Sequence, residues 1–207
     1  MSTLPALQWR YSLKNFSNRK VPQSQVNDLI EAARLSASSY GLQPYQVWII
    51  EEPTLLAQLA EHAYGQSQVK HCSHLLVFAN ETQINDQIVD RYFQRYYQQT
   101  SAAIGSAEGY ADHIKSALAV KDEQEGQSWA QQQTYIALGA LLSEAAMQRI
   151  DTCPMTGFEP EAFNRILGLD DKQLNACVIC AIGYRDQTAE PPVKVRIPTE
   201  EFAHFLA

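Results

Sequence analysis

The sequence predicts an α+β fold, in which helices flank a small sheet of few strands. Three observations carry this prediction. Apolar residues recur at helical spacing after Pro22 and again after Pro53. Three short runs, at 46–50, 74–79 and 176–184, are β-branched, aromatic or continuously apolar, and residues 129–150 form a long segment with little charge. Such elements bury their apolar faces by packing helices on a sheet around one core. The 207-residue chain has room for one sizeable core, and no repeat, low-complexity tract or linker divides it. Residues 1–207 are therefore read as one domain.

The elements follow in chain order. From Pro22, suited to a first helical turn, Val26, Leu29, Ile30 and Ala33 keep the i, i+3, i+4, i+7 spacing, which predicts an amphipathic helix ending near Leu35. Residues 46–50 (QVWII), between Pro44 and Pro53, read as a buried strand, and Pro53 opens a second helix to about Ala63. The runs HLLVFA at 74–79 and ACVICAIGY at 176–184 do not alternate with polar residues, as expected of strands covered on both faces. Between these two runs the chain reads mostly as helix. In 129–150, Ile136, Ala137, Ala140, Leu141, Ala145 and Met147 predict a central helix buried round most of its circumference. Residues 200–206 read as a further helical turn.

Composition narrows the function. With 45% hydrophobic and 19% charged residues the chain is too apolar for disorder. A net charge of −7 argues against nucleic acid as a partner, while leaving room for a local basic site that holds one phosphate. Cys72, Cys153, Cys177 and Cys180 are too few and too irregular for a disulfide scaffold, which points to a reducing, cytoplasmic compartment. The N-terminus lacks the apolar core of a signal peptide, and no stretch approaches the roughly 20 apolar residues of a membrane span, so no membrane association is expected.

Common catalytic signatures are missing. No two glycines are separated by a single residue, so a Rossmann turn in its usual form cannot be built, and there is neither a P-loop nor a Gly-x-Ser-x-Gly elbow. Cys177 and Cys180 have CxxC spacing but lie inside a strand, where residues three apart are expected on opposite faces. His71, Cys72 and His74 lack a second ligand cluster, and the start of a strand explains them better than a metal site.

Three segments are harder to explain by folding alone. Arg10, Ser12 and Lys14 alternate along one edge if extended. Lys194 and Arg196 share one face of a Pro-bounded extended stretch, opposite Val193, Val195 and Ile197. Both edges could hold a phosphate or could be solvated basic strands. The third, residues 153–158 (CPMTGF), reads as a Pro-Gly turn whose N–H groups can approach a flat ligand.

Together with Ser38, Ser39, Gln43, Pro44 and Tyr45, and with the polar stretch from Gly65 to Gln68, these segments resemble the motifs of the nitroreductase family in order and spacing, over essentially the whole chain. The resemblance implies a nitroreductase-like fold with a small mixed sheet, in an intertwined homodimer. It implies tightly bound FMN, with Arg10, Ser12, Lys194 and Arg196 on the phosphate. Lys14 would stand beside the flavin ring, where its charge favours the anionic reduced form. Gln68, or Gln66 if the register slips, would bond to the ring edge. Pro154 would cover one ring face, the N–H groups of Thr156 and Gly157 would reach its N5/O4 edge, and Ser38 and Ser39 would arrive from the partner. The chain departs from some relatives at Thr156, where they have Glu, and at Gly65, where they have Asn.

The implied activity is ping-pong transfer of hydride from NADH or NADPH through flavin N5 to a small-molecule acceptor such as a nitroaromatic, a quinone or free flavin. The cofactor does the redox chemistry, so no catalytic side chain is named. An FMN-binding carrier or sensor without turnover is the alternative. In the family a helical excursion, here about residues 85–127, covers the active site. Its Tyr92, Phe93, Tyr96 and Tyr97 fit an acceptor-contacting lid and ordinary core packing equally well.

Overall fold

The structure, a computed structural model, describes residues 2–186 and 192–206. The elements run α1 (Leu4–Trp9), α2 (Gln23–Arg34), β1 (Tyr45–Ile50), α3 (Pro53–Glu61), α4 (Ser67–Lys70), β2 (His74–Glu81), α5 (Asp86–Thr100), α6 (Glu108–Ala119), α7 (Glu123–Met147), β3 (Asp151–Met155), α8 (Pro160–Leu167), β4 (Leu174–Gly183) and α9 (Thr199–Phe202). The four strands form one sheet in the order β1-β2-β4-β3.

The fold is α+β, as expected, but the sheet is not mixed. All three strand pairings are antiparallel, and the parallel contact is an isolated bridge between Ser12 and Thr152. Continuous apolar strands report burial on two faces, not strand direction. Here helices cover both faces. One side holds Leu56 and Leu59 of α3 and Phe163 of α8 against Leu75, Val77 and Ile179. The other packs Val26 and Leu29 of α2 and Leu138 and Leu141 of α7 against Leu76, Phe78 and Val178. Burying each Leu or Phe side chain contributes about 1.5–3 kcal/mol before conformational entropy is set against it.

Two local expectations are corrected. A register shift after Phe78 sets Phe78 against Val178 and Ala79 against Ala176, so Cys177 is an extra residue on β4. This bulge turns Cys177 and Cys180 to the same side, the one packed on α2 and α7. Both thiols are buried, and burial pushes Cys177 up to about 11 and Cys180 higher still, so neither offers a thiolate. The second correction concerns α7. It buries Ala137, Leu141 and Ala145, but leaves Tyr135, Ile136 and Met147 at 41%, 47% and 39% exposure. The helix also begins earlier than expected, at a capping box formed by Asp122 and Glu125.

His74 opens β2 within a buried polar knot. Its Nδ1 is 2.9 Å from Ser73 Oγ and its Nε2 3.2 Å from Glu51 Oε2, while Ser73 Oγ accepts from the Val21 N–H at 2.7 Å. Burial holds the imidazole below its ordinary range, against the pull of Glu51 and with that of Lys20. Among the described residues, no helix is long and apolar enough to cross a membrane.

Candidate functional site

The chain leaves α1 at Trp9 and becomes extended at Arg10, with φ −68° and ψ 144°. It then lies along β3. Ser12 bridges Thr152, the Leu13 N–H donates to the Thr152 carbonyl at 3.2 Å, and Leu13 is buried. Ser12 and Lys14 remain exposed, and Arg10 is half-buried. Burial raises the Cys153 thiol, and the charges of Lys14 and Arg10 pull it partly back, so both cations act on the middle of β3.

The C-terminal basic edge reaches the same place. Lys194 Nζ donates to the carbonyls of Leu7 and Arg10. Burial, then the charges of Arg10 and Arg196, hold this ammonium below the ordinary lysine range. Arg196 Nη1 donates to the Val195 carbonyl at 2.6 Å. Three cations from two ends of the chain are thus gathered within mutual repulsion. Two polar atoms beside them, Arg10 Nε and Thr152 Oγ1, are buried with no hydrogen-bond partner among the described residues. Buried donors are normally paired, so this cradle has the donor set for an anion such as a phosphate.

The far end of β3 carries a polar corner. Pro154 is half-buried opposite Cys180, and Thr156 and Gly157 are exposed. Gln68 is 4% exposed, and its Nε2 donates to Gln66 Oε1 at 3.0 Å and to Met155 Sδ at 3.2 Å. Gln66 Nε2 in turn donates to the carbonyls of Ala63 and Gly157, at 3.0 and 2.7 Å. The turn is pinned from behind by His62, whose carbonyl accepts from the Glu159 N–H and whose Nδ1 is 2.9 Å from Glu159 Oε2. Gly65 sits at φ +67°, a conformation open to Gly and, among other residues, best tolerated by Asn or Asp.

With this arrangement in view, the comparisons with known proteins are specific. The sequence model described as "Nitroreductase family" matches residues 7–184. The chain belongs to the nitroreductase family. A Staphylococcus saprophyticus protein named "Putative NAD(P)H nitroreductase" is 30% identical over 212 residues, covering 98% of this chain and 96% of that protein. A Staphylococcus aureus protein of the same description is 33% identical over 198 residues, covering 91% and 88%. The crystal structure of a "putative nitroreductase" from Bacillus subtilis superposes with a TM-score of 0.85 at 24% identity, over 98% of both chains. A "putative nitroreductase in complex with FMN" from Exiguobacterium sibiricum gives 0.84 at 19% identity, over 99% of this chain and 97% of that one.

Within this nitroreductase chain, Arg10, Ser12 and Lys14 lie beside β3, Lys194 meets Arg10 and feels the charge of Arg196, and Pro154, Thr156, Gly157, Gln66 and Gln68 continue along β3 and the turn after it. Ser38 and Ser39 do not join them. The Ser39 N–H donates to Gln133 Oε1 at 2.8 Å and Ser38 Oγ accepts from the Gln43 N–H at 3.2 Å, just before β1 at the opposite edge of the sheet. Four strands put these edges about 14 Å apart.

The aromatic stretch of α5 divides. Phe93 is buried among Leu42, Ile114 and Leu118, whereas Tyr92 and Tyr96 line a cavity of about 630 Å³ with Tyr45, Arg34 and Arg95. Sequence reasoning missed Met155, His62, Glu159 and the ion pair of Asp151 with Arg185. Their partners lie tens of residues away, so no local pattern reveals them.

Proposed function

We propose that this chain is an FMN-dependent oxidoreductase that takes hydride from NADH or NADPH and reduces a small-molecule acceptor, working as a homodimer. The observation that carries this reading is the convergence of Arg10, Lys194 and Arg196 around buried donors that are unpaired among the described residues, in a protein of net charge −7. Gathering like charges is unfavourable unless an anion is to be held there. The relatives' descriptions as NAD(P)H nitroreductases and the FMN in the Exiguobacterium structure agree with that anion being the flavin phosphate.

In this reading Arg10, Ser12, Lys194 and Arg196 bind the phosphate, and Lys14 places a positive charge beside the ring. Pro154 lies under the ring, while Thr156 and Gly157 offer N–H groups to its edge. Gln66 orients that turn through the Gly157 carbonyl, and buried Gln68 supports Gln66. A bound FMN supplies two-electron transfer from the nicotinamide to a nitroaromatic, quinone or flavin acceptor, the two substrates using one open face in ping-pong order. The protein contributes binding, orientation and electrostatic field, and no side chain is assigned a proton transfer.

A second copy completes the site. Ser38 and Ser39 are remote from their own chain's cradle, and the exposed stripe of Tyr135, Ile136 and Met147 on α7 is an apolar face suited to self-association. The test is direct. Purified protein should release FMN on denaturation and, before it, should bleach under anaerobic NADH or NADPH. Release of FAD, or a colourless protein that takes up no FMN, would overturn the assignment. Bound FMN that no nicotinamide reduces would leave a flavin carrier in place of a reductase.

A further inference from the structure

Arg185 follows β4 and meets Asp151, the first residue of β3. Asp151 is 2% exposed. The guanidinium donates from Nε to both carboxylate oxygens, at 2.9 and 3.1 Å, and from Nη2 to Oδ1 at 2.5 Å, while the Arg185 N–H donates to Oδ2 at 2.8 Å. The same guanidinium lies 4.1 Å from the Trp9 ring centre and 4.7 Å from that of Tyr11. Those two rings are the sequence neighbours of Arg10 on either side.

A buried ion pair adds little net stability over apolar residues of the same shape, so stability alone does not account for this one. Its geometry bears on Arg10. Trp9 closes α1 and Tyr11 lies in the extended segment that follows, so the two rings held on Arg185 fix the backbone on both sides of residue 10, whose charge acts on Lys194. The Arg10 carbonyl receives the Lys194 ammonium. Arg10 must sit in a field of like charge before any anion arrives, and a free chain would relieve that repulsion by swinging away.

We propose that Arg185 is a positioning residue for the phosphate cradle. Anchored by Asp151, it holds Trp9 and Tyr11 and so presents Arg10 to the phosphate already in place. The proposal rests on the reading of the cradle as the FMN phosphate site. Preorganisation of this kind raises affinity by removing the ordering cost from the binding step.

The experiment compares FMN with riboflavin, which has the same ring system and no phosphate. Dissociation constants are measured by flavin fluorescence on full-length protein freed of flavin, for wild type, Arg185→Lys, Tyr11→Leu, Arg10→Ala and Arg10→Ala/Arg185→Lys. Lysine keeps a charge on Asp151 but loses the planar fork and the ring stacking. Tyr11→Leu loosens the segment with the ion pair intact, and serves if Arg185→Lys does not fold. Arg185→Lys and Tyr11→Leu should each weaken FMN about tenfold, as expected for partial loss of a charge-assisted contact, and leave riboflavin unchanged. Arg185→Lys should add nothing further to Arg10→Ala, since it acts through Arg10. Equal losses for both flavins, an unchanged FMN constant, or additivity with Arg10→Ala would overturn the proposal. Arg10→Ala with an unaltered FMN-to-riboflavin ratio would instead overturn the phosphate reading beneath it.

Discussion

Replacing Arg196 with alanine should move FMN affinity and intrinsic stability independently, which is the signature of a preformed anion site. Arg196 is exposed, and with Arg10 it lowers the Lys194 ammonium. Removing it relieves a repulsion in the flavin-free protein, and exposed substitutions of this kind stay within about 0.5 kcal/mol. Binding loses one charge-assisted contact, about 2 kcal/mol, or roughly thirty-fold in the dissociation constant. At an FMN concentration of about one hundred times the wild-type constant, ligand stabilisation is about 2.7 kcal/mol; a thirty-fold weaker site retains only about 0.9 kcal/mol. The assay is fluorescence titration with FMN and riboflavin, together with thermal unfolding with and without FMN. Raising ionic strength should narrow the gap between variant and wild type, because exposed charges are screened within about 3 Å at 1 M salt. An unaltered FMN constant, or a flavin-free protein destabilised by several kcal/mol, would refute the reasoning.

Four further outcomes are expected. Lys14→Ala should lower the flavin midpoint potential by on the order of 30 mV, about 1.4 kcal/mol for two electrons, as read by dye-coupled reduction; an unchanged potential would remove Lys14 from the ring. His74 has a folded-state pKa lowered mainly by burial, so below about 6.5 the unfolded chain takes up a proton that the folded chain refuses. Stability should therefore fall as pH drops through 6.5, by at most about 1.4 kcal/mol per pH unit, and level off below the folded value; urea unfolding of His74→Gln should lack this component. Gly183→Ala would put a Cβ 2.6 Å from Phe16 Cδ1, and should cost about 1–3 kcal/mol, with less than additive loss when Phe16→Ala makes room. Ile136→Glu should yield a monomer in sedimentation at micromolar concentration and release the flavin, and a stable flavin-loaded dimer would move the interface away from α7.

How much of this is legible in the sequence varies by element. The helices after Pro22 and Pro53 and the strands β2 and β4, expected at 74–79 and 176–184, follow from periodicity, burial run and proline placement, all of them local. The start of α7 escaped notice because its first turns are rich in Glu and Gln, although the spacing of Asp122 and Glu125 carried a capping signal. Strand β3 was read as part of a turn because Pro154 lies inside it. Proline is tolerated there because β3 is an edge strand, paired in register with β4 alone.

For the site, the sequence alone determined which residue types were available: two alternating basic edges, a polar Pro-Gly segment and the family pattern that joins them. Only the tertiary structure decided that Arg10 meets Lys194, that Ser38 and Ser39 stand at the opposite edge of the sheet, and that Arg185 grips the rings on either side of Arg10. The physical reason is range. Propensity and periodicity act over one turn or one strand, whereas ion pairs and ring contacts join residues as distant as Trp9 and Arg185, whose meeting depends on the pairing of β3 with β4 that no local pattern encodes.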